Sequence, residues 1–214
     1  MPRPQVPPHP EIVLATRNRG KVREIEALLA DLNVPVRSLE EFPEVPPLPE
    51  EGETFQENAV SKALTVARIT GRVAMADDSG LEVDALGGMP GVHSSRFLGE
   101  EATDADRNAR VLELLRGVPS SQRTARFRAV VAVALPSGEV YTFEGVVEGR
   151  IAEEPRGEHG FGYDPIFLLP GYGKTFAELG PEVKNRLSHR AQAVSAAREF
   201  LRQLFQGSPP DPGP

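Results

Sequence analysis

The sequence predicts an α/β protein with a mixed β-sheet, and two observations carry this prediction. Strand-like apolar runs alternate with helical patterns through the first half of the chain. In the second half, two long strand patterns follow one another with only a Ser-Gly turn between them. Alternation with helices favours parallel strands, whereas a tight connection joins antiparallel ones. We therefore expect one sheet that contains both kinds of pairing.

The first elements are a buried strand and an amphipathic helix. The run EIVLAT, residues 11–16, is almost continuously apolar, which is typical of a strand buried on both faces. After the loop RNRG, apolar residues recur at helical spacing from Val22 to Leu32, and Asn33 ends the helix. The run VPVRSL is predicted to be a second, short strand.

A capping box marks the second helix. Thr54 opens the sequence TFQE, with Glu57 at the third helical position, and Gly71 closes a helix predicted over about 55–70. The next run, VAMA, is predicted to be a strand that ends at Asp77 and Asp78, with a Ser-Gly turn after them. Two readings of this DDSG segment stay open, a polar turn and a site for a divalent cation.

The second half contains a third helix, the hairpin and a final helix. Thr103 and Asp106 begin the third helix and Gly117 ends it. The hairpin strands are TARFRAVVAVAL and EVYTFEGVVEGRI, and the Gly-rich loop RGEHGFGYDPIF follows. A terminal helix is predicted over about 189–206.

Proline marks the ends of the chain. Five of the 21 prolines lie in residues 1–10 and four in residues 207–214, so both ends are predicted to be tails around one folded domain, 11–206. Four more lie in residues 43–49, which predicts a stiff, extended loop.

Composition excludes several classes of function. A net charge of -7 argues against broad contact with nucleic acid. No apolar run approaches the roughly 20 residues of a membrane-spanning helix, so no membrane partner is expected. The absence of cysteine removes disulfides, thiol nucleophiles and Cys-ligated zinc. Because the N-terminus has no apolar secretory segment either, the cytoplasm is the expected location.

Lysine is scarce, since only four of the 24 basic residues are lysine. Arginine therefore fills most positions where either residue would serve. The four lysines are candidates for positions that need a compact ammonium group. They are Lys21, Lys62, Lys174 and Lys184.

The segment TRNRGK leaves the first strand and opens the first helix. Backbone N–H groups without helical partners and the helix dipole favour an anion there. Thr16 and Asn18 offer short polar side chains, and Lys21 offers a cation in the first turn. An ordinary capped helix with a solvated lysine is the alternative. Neither this segment nor GYGKT fits the Walker phosphate loop.

Two further segments have candidate ligand contacts. Ser188 is a good N-cap, which places His189 and Arg190 in a first helical turn, where the dipole disfavours cations. Contact with a ligand would explain that placement. In GFGYDP, Phe161 is flanked by glycines and is open to stacking on a base, although a Gly-rich turn with core aromatics fits as well.

Six segments together resemble the inosine triphosphate pyrophosphatase family over about residues 11–206. They are ATRNRGK, GETFQENAVSKA, ADDSGLEVDALGGMPGVHSSRF, GFGYDPIF, GKTFAEL and KNRLSHRAQA. The resemblance implies an elongated mixed sheet with flanking helices, in two lobes with the nucleotide in the cleft between them. It also implies a homodimer and an Mg²⁺ cofactor.

The resemblance also assigns roles to residues. Asp78 would be the general base and an Mg²⁺ ligand with Glu50, although the neighbouring Glu51 and Glu53 leave the second ligand open. Residues implied to bind the triphosphate are Thr16, Arg17, Asn18, Arg19, Gly20, Lys21, Lys62 and Ser79. Residues implied to form the base pocket are Phe161, Gly162, Tyr163 and Asp164, and those implied to approach the base or the phosphates are Lys184, His189 and Arg190.

The implied activity is Mg²⁺-dependent hydrolysis of nonstandard purine nucleoside triphosphates, such as ITP, dITP and XTP, to the monophosphate and pyrophosphate. Three alternatives stay open. They are a pyrophosphatase for modified pyrimidines or dTTP, a nucleotide sensor without catalysis, and an interaction protein that docks through its Pro-rich tails.

Overall fold

The computed structural model describes residues 10–206, and it confirms the α/β fold with a mixed sheet. The strands are β1 (Ile12–Leu14), β2 (Val36–Ser38), β3 (Val73–Val83), β4 (Thr124–Ala134), β5 (Val140–Ile151), β6 (Phe167–Leu169) and β7 (Lys174–Thr175). Within the described residues these seven strands form one sheet in the order β2-β1-β3-β4-β5-β6-β7. The two ends, 1–9 and 207–214, lie outside the described residues, so the predicted tails are not tested there.

The sheet combines parallel and antiparallel pairs, as predicted. β1 runs parallel to both β2 and β3, and Ile12 is opposite Val36 on one side and Val73 on the other. β6 runs antiparallel to β5 and to β7. The hairpin connection after β4 is closed by a 2.8 Å hydrogen bond from the Leu135 N–H to the Glu139 carbonyl.

The helices are α1 (Arg19–Leu29), α2 (Phe55–Thr70), α3 (Asp104–Leu114), α4 (Phe176–Leu187) and α5 (His189–Gln206). The helices α1, α2, α3 and α5 begin and end close to the predicted residues, whereas α4 was not predicted from the sequence. The predicted capping boxes are present at Thr54 and Thr103, and Gly71 ends α2 with a φ of 65°. No helix among the described residues is long and apolar enough to span a membrane.

The prediction that the VAMA strand ends at the aspartate pair is wrong. β3 continues through Asp77, Asp78 and the Ser-Gly pair to Val83, so the turn reading of DDSG fails. Both carboxylates are almost fully buried inside the strand. A buried carboxylate is tolerated when an opposite charge pairs with it, and lysine side chains from elsewhere in the chain supply that pairing.

The chain divides into two compact units, each with its own apolar interior. The first comprises residues 10–78, 130–144 and 192–206, and the second comprises 79–129 and 145–191. In the first, β1 is fully buried along its length. In the second, the core includes Phe127, Phe167 and Phe176, whose rings pack against one another with centroids 4.4–6.2 Å apart.

Candidate active site

A group of acidic and basic side chains lies in the first unit, and we call it the carboxylate–lysine cluster. Its members are Lys21, Glu50, Lys62, Asp77 and Asp78. At its centre, Lys62 Nζ lies 2.7 Å from Glu50 Oε1 and 3.0 Å from Asp78 Oδ1. The two carboxylates predicted to bind Mg²⁺ therefore meet at one ammonium group.

The second lysine joins the cluster through Asp77. Lys21 Nζ lies 2.6 Å from Asp77 Oδ1 and donates a 3.2 Å hydrogen bond to the Asp77 backbone carbonyl. The same carbonyl accepts a 3.1 Å hydrogen bond from Lys62 Nζ. The loop opened by Thr16 and the aspartate pair on β3 therefore lie side by side, as a site that holds both a polyphosphate and a cation would require.

Three elements of the first unit position the cluster. The cap of α1 is Asn18, whose side-chain oxygen accepts hydrogen bonds from the Gly20 and Lys21 N–H groups at 2.9 and 3.1 Å. This cap fixes the first turn and so aims Lys21 along β3. The middle of α2 supplies Lys62, and the extended backbone of β3 supplies the two carboxylates.

Asn58 belongs to the same site and was missed by the sequence reasoning. Its side-chain nitrogen donates a 3.1 Å hydrogen bond to Asp78 Oδ2, and its side-chain oxygen accepts one of 2.8 Å from the Gly52 N–H. Asn58 precedes Lys62 by one helical turn on α2, so both face the same side. A polar residue one turn before a candidate lysine was the signal available in the sequence.

Burial and the unequal number of charges tune the cluster. Burial raises the pKa of the Asp78 carboxyl, and Glu50 adds to this, while Lys62 and Lys21 oppose it without cancelling it. Burial alone would lower the pKa of Lys62, but Asp78 and Glu50 outweigh it and leave that pKa raised. Three carboxylates share two ammonium groups, so a carboxylate that holds a proton above its usual pH range is the expected result.

The donor set suits Mg²⁺. The described residues contain no group of three or more His, Cys, Asp or Glu side chains arranged to hold a metal ion. Magnesium, however, commonly binds through one or two carboxylates together with water and the phosphates of a substrate. Asp78 and Glu50 provide two such carboxylates against one ammonium group.

The remaining residues of the predicted phosphate loop lie around the start of α1. Thr16 Oγ1 accepts a 3.1 Å hydrogen bond from the Asn18 N–H. Arg17 donates a 2.9 Å hydrogen bond from Nη2 to the Val45 carbonyl, which ties the loop to the Pro-rich stretch. Arg17 and Arg19 also line a surface pocket of about 390 Å³ together with Arg23 and Ser38.

In the second unit, the predicted base-pocket residues form what we call the Phe161 loop, residues 160–164. Lys184 Nζ lies 4.4 Å from the centroid of the Phe161 ring and 2.5 Å from Asp164 Oδ2. Asp164 Oδ2 also accepts a 2.9 Å hydrogen bond from the Phe161 N–H. Asp164 and Lys184 are buried, whereas Phe161 is half-buried.

Arg190 and His189 occupy the first turn of α5, as predicted, and Ser188 caps it by accepting a 3.1 Å hydrogen bond from the Ala191 N–H. Arg190 Nη2 donates a 2.7 Å hydrogen bond to Ser79 Oγ, and its guanidinium carbon lies 5.6 Å from the Phe161 centroid. The buried His189 ring stacks on Phe127 with centroids 4.7 Å apart. The structure therefore brings Phe161, Lys184 and Arg190 together with Ser79, a residue that the resemblance assigns to the triphosphate.

Tyr163 occupies a different environment from Phe161. Its ring is part of the apolar core of the second unit, and its hydroxyl donates a 2.8 Å hydrogen bond to the Ser94 carbonyl. Burial raises the pKa of this hydroxyl far above its ordinary value. Within the described structure, the contacts of Tyr163 are those of a residue that supports the loop.

The mixed sheet and these side chains define an α/β protein equipped for hydrolysis of a phosphorylated substrate. Its carboxylates, ammonium groups and capped helix start are the groups that such chemistry requires. The chain belongs to the Ham1 family, whose sequence model matches residues 12–200.

Named relatives and solved structures cover nearly the whole chain. The dITP/XTP pyrophosphatase of Desulforamulus reducens is 53% identical over 195 residues, which is 91% of this chain and 97% of that protein. The dITP/XTP pyrophosphatase of Bacillus subtilis is 48% identical over 191 residues, 89% of this chain and 96% of that protein. The structure of a HAM1 protein from Coxiella burnetii superposes with a TM-score of 0.82 at 47% identity, covering 90% of this chain and 98% of that one.

Proposed function

We propose that this chain hydrolyses nonstandard purine nucleoside triphosphates, dITP, XTP and ITP, to the nucleoside monophosphate and pyrophosphate. The observation that carries the proposal is the carboxylate–lysine cluster beside the Asn18-capped start of α1. Relatives about 50% identical over most of the chain are dITP/XTP pyrophosphatases, which supports the same substrate class.

Asp78 is the proposed general base. Its carboxylate would accept a proton from a water molecule as the water oxygen bonds to the α-phosphorus, while the bond from that phosphorus to the bridging oxygen breaks and pyrophosphate leaves. The raised pKa of Asp78 makes it a stronger base than an ordinary aspartate. Asn58 and Lys62, which each bond one of its oxygens, would hold the carboxylate in place.

The two cluster lysines are the proposed phosphate partners. When a triphosphate approaches, Lys21 and Lys62 would share their charge between its oxygens and the carboxylates they already contact. The N–H groups of the first turn of α1, oriented by Asn18, would add further donors. Asp78 and Glu50 would hold Mg²⁺, which when bound supplies neutralisation of the charge on the phosphates.

The Phe161 loop, His189 and Arg190 are the proposed recognition elements for the base. A 6-keto oxygen accepts hydrogen bonds from donors such as a guanidinium group, whereas a 6-amino group would leave those donors unpaired. A site built around such donors rejects the unmatched base steeply. The half-buried Phe161 ring, with Lys184 and Arg190 near it, is the proposed stacking surface for the base.

Product analysis tests this proposal. The purified chain is incubated with dITP, XTP, ITP, dATP and dTTP, with Mg²⁺ or with a chelator, and monophosphate and pyrophosphate are quantified. We expect pyrophosphate from the three 6-keto purines and little from dATP or dTTP. Preference for dTTP would contradict the substrate class, and tight dITP binding without any product would support a sensor instead.

We also propose a homodimer in the cytoplasm. The dimer is proposed from the family resemblance, and the location is proposed from the absence of cysteine in the sequence. Light scattering coupled to size-exclusion chromatography would measure the oligomeric state, and a monomeric mass at all concentrations would contradict the dimer.

A further inference from the structure

The backbone of Gly162 is held by one helix at both of its hydrogen-bonding groups. Its N–H donates a 2.7 Å hydrogen bond to Asp104 Oδ2, and its carbonyl accepts one of 3.0 Å from Asn108 Nδ2. Asp104 and Asn108 are four residues apart on α3, so they lie on one face of the helix. Together they clamp a single peptide segment of the Phe161 loop.

The clamp acts where the loop has a restricted conformation. Gly162 has a φ of 61°, in the left-handed region, although a Cβ there would meet no other atom. Space therefore does not explain the glycine, and the backbone conformation does. A Cβ at Gly160 would collide with the Asp164 carboxylate, which bonds the Phe161 N–H. The position of the Phe161 ring thus depends on backbone bonds on both sides of it.

α3 is itself firmly attached within the second unit. Arg107, which precedes Asn108 on α3, is buried. It donates a 3.0 Å hydrogen bond from Nε to the Phe97 carbonyl and a 3.1 Å hydrogen bond from Nη2 to the Gly99 carbonyl. Val111 and Leu115 at the end of the helix belong to the apolar core. The clamp therefore transmits the placement of a rigid helix to the loop.

The buried amide of Asn108 is difficult to explain by packing. Among the described residues its Oδ1 atom has no hydrogen-bond partner, although the side chain is almost fully buried. An apolar residue of similar size would avoid that unfavourable burial. The favourable contact of the Asn108 amide is the hydrogen bond that its Nδ2 donates to the Gly162 carbonyl.

We propose that Asp104 and Asn108 are positioning residues that set base selectivity by fixing the Phe161 ring. This inference rests on the proposed function, because it assigns to α3 the discrimination between 6-keto and 6-amino purines. The residues take no part in water activation or phosphate binding. Loss of the clamp would let the Phe161 ring move, which would weaken the binding of the preferred 6-keto base more than that of the rejected 6-amino base.

The experiment compares Asp104→Ala and Asn108→Leu with the wild-type chain. For each, kcat and KM are measured with dITP and dATP, and the dissociation constants of both nucleotides are measured by calorimetry. We expect the dITP-to-dATP selectivity to fall about tenfold or more, through a higher KM for dITP and with kcat at saturation little changed. Asp104→Asn, which keeps an acceptor for the Gly162 N–H, should retain most of the selectivity.

Asp106→Ala is the matched control. Asp106 accepts from the Thr103 N–H in the capping box at the same end of α3, but the Phe161 loop is bonded through Asp104. This variant should lower the melting temperature while keeping wild-type selectivity. Unchanged selectivity in both Asp104→Ala and Asn108→Leu would overturn the inference. If Asn108→Leu fails to fold, the comparison of Asp104→Ala with Asp104→Asn, at an exposed position, still tests the inference.

The binding measurements separate this inference from the proposed function. A wild-type chain that binds dITP in preference to dATP but releases no pyrophosphate overturns the hydrolase proposal alone. The clamp variants then still support or overturn the inference through the ratio of dissociation constants.

Discussion

The ammonium nitrogen of Lys62 lies 3.0 Å from Asp78 Oδ1, and both side chains are more than nine-tenths buried. Glu50 contacts the same nitrogen at 2.7 Å. The ammonium group therefore compensates one buried carboxylate, that of Asp78, and one partly exposed carboxylate, that of Glu50. Loss of the Lys62 charge should therefore be costly, because it would leave the buried Asp78 carboxylate without this cation.

Replacing Lys62 by Met should destabilise the fold by about 3 kcal/mol, because it leaves buried carboxylates without their cation. Equilibrium unfolding in urea measures this change. Lys174→Met, at an exposed position on β7, is the matched control and should stay within about 0.5 kcal/mol of wild type. Equal losses for the two variants would show that Lys62 has no special place in stability.

Asp78→Asn should abolish turnover of dITP, with a fall of about 10³-fold or more, because an amide cannot accept the proton of water. Nucleotide binding should stay measurable, since Lys21 and the start of α1 are unchanged. Pyrophosphate release and calorimetry are the two readouts. Asp31→Asn, which alters a carboxylate paired with Arg202, should keep wild-type turnover, and near-normal turnover by Asp78→Asn would remove that residue from the role of base.

Asn18→Asp should separate helix capping from phosphate binding. Aspartate caps a helix as well as asparagine does, so the melting temperature should be kept. The added negative charge would face the proposed triphosphate, so KM for dITP should rise by about tenfold or more. Asn33→Asp, which adds the same charge at the end of the first helical segment, is the control. Equal effects of the two substitutions would argue against a phosphate at Asn18.

Tyr163→Phe should change the alkaline stability of the protein. Burial raises the pKa of the Tyr163 hydroxyl, so its contribution to stability is present below the unfolded pKa of 10.0 and is lost as pH rises towards the folded value. The variant should lose about 1 kcal/mol at neutral pH with the bond to Ser94, and then lose stability less steeply above pH 10.

Melting temperatures between pH 8 and 11 give the slope for the Tyr163 prediction (the range brackets the ordinary pKa of tyrosine, about 10). Tyr172→Phe, at an exposed position, should follow the wild-type curve. A Tyr163→Phe curve parallel to wild type above pH 10 would contradict the prediction. Retained turnover of dITP would fit a residue that supports the Phe161 loop from the core.

The sequence predicts helices well where short-range chemistry defines them. Thr54 and Gly71 bound α2 because a capping box and a left-handed glycine are local signals that need no knowledge of the rest of the fold. The length of β3 was not predicted, because its continuation through Asp77 and Asp78 depends on Lys21 and Lys62, which are distant in sequence.

The site was predicted only in part, because some of its residues are recognised by composition and others only by contacts with residues distant in sequence. The scarcity of lysine pointed to all four lysines. Lys21, Lys62 and Lys184 each pair with an aspartate in the structure, whereas Lys174 is exposed. Asn58 was missed although it lies one helical turn before the candidate Lys62, and Asn108 was missed because an asparagine in a helix has no distinctive pattern until its partner is known. The roles of Asn58 and Asn108 come from their hydrogen bonds to Asp78 and Gly162, which are distant in sequence.

The acceptor that brings Lys21 and Lys62 together is the peptide oxygen of residue 77, which every amino acid possesses. A change of side chain at this position would remove one ion pair but would leave both ammonium groups a shared anchor. A substitution at residue 77 can therefore weaken the binding of Lys21 without separating the two lysines. The position of the two lysines beside each other therefore depends on the path of the backbone at residue 77 as well as on its side chain.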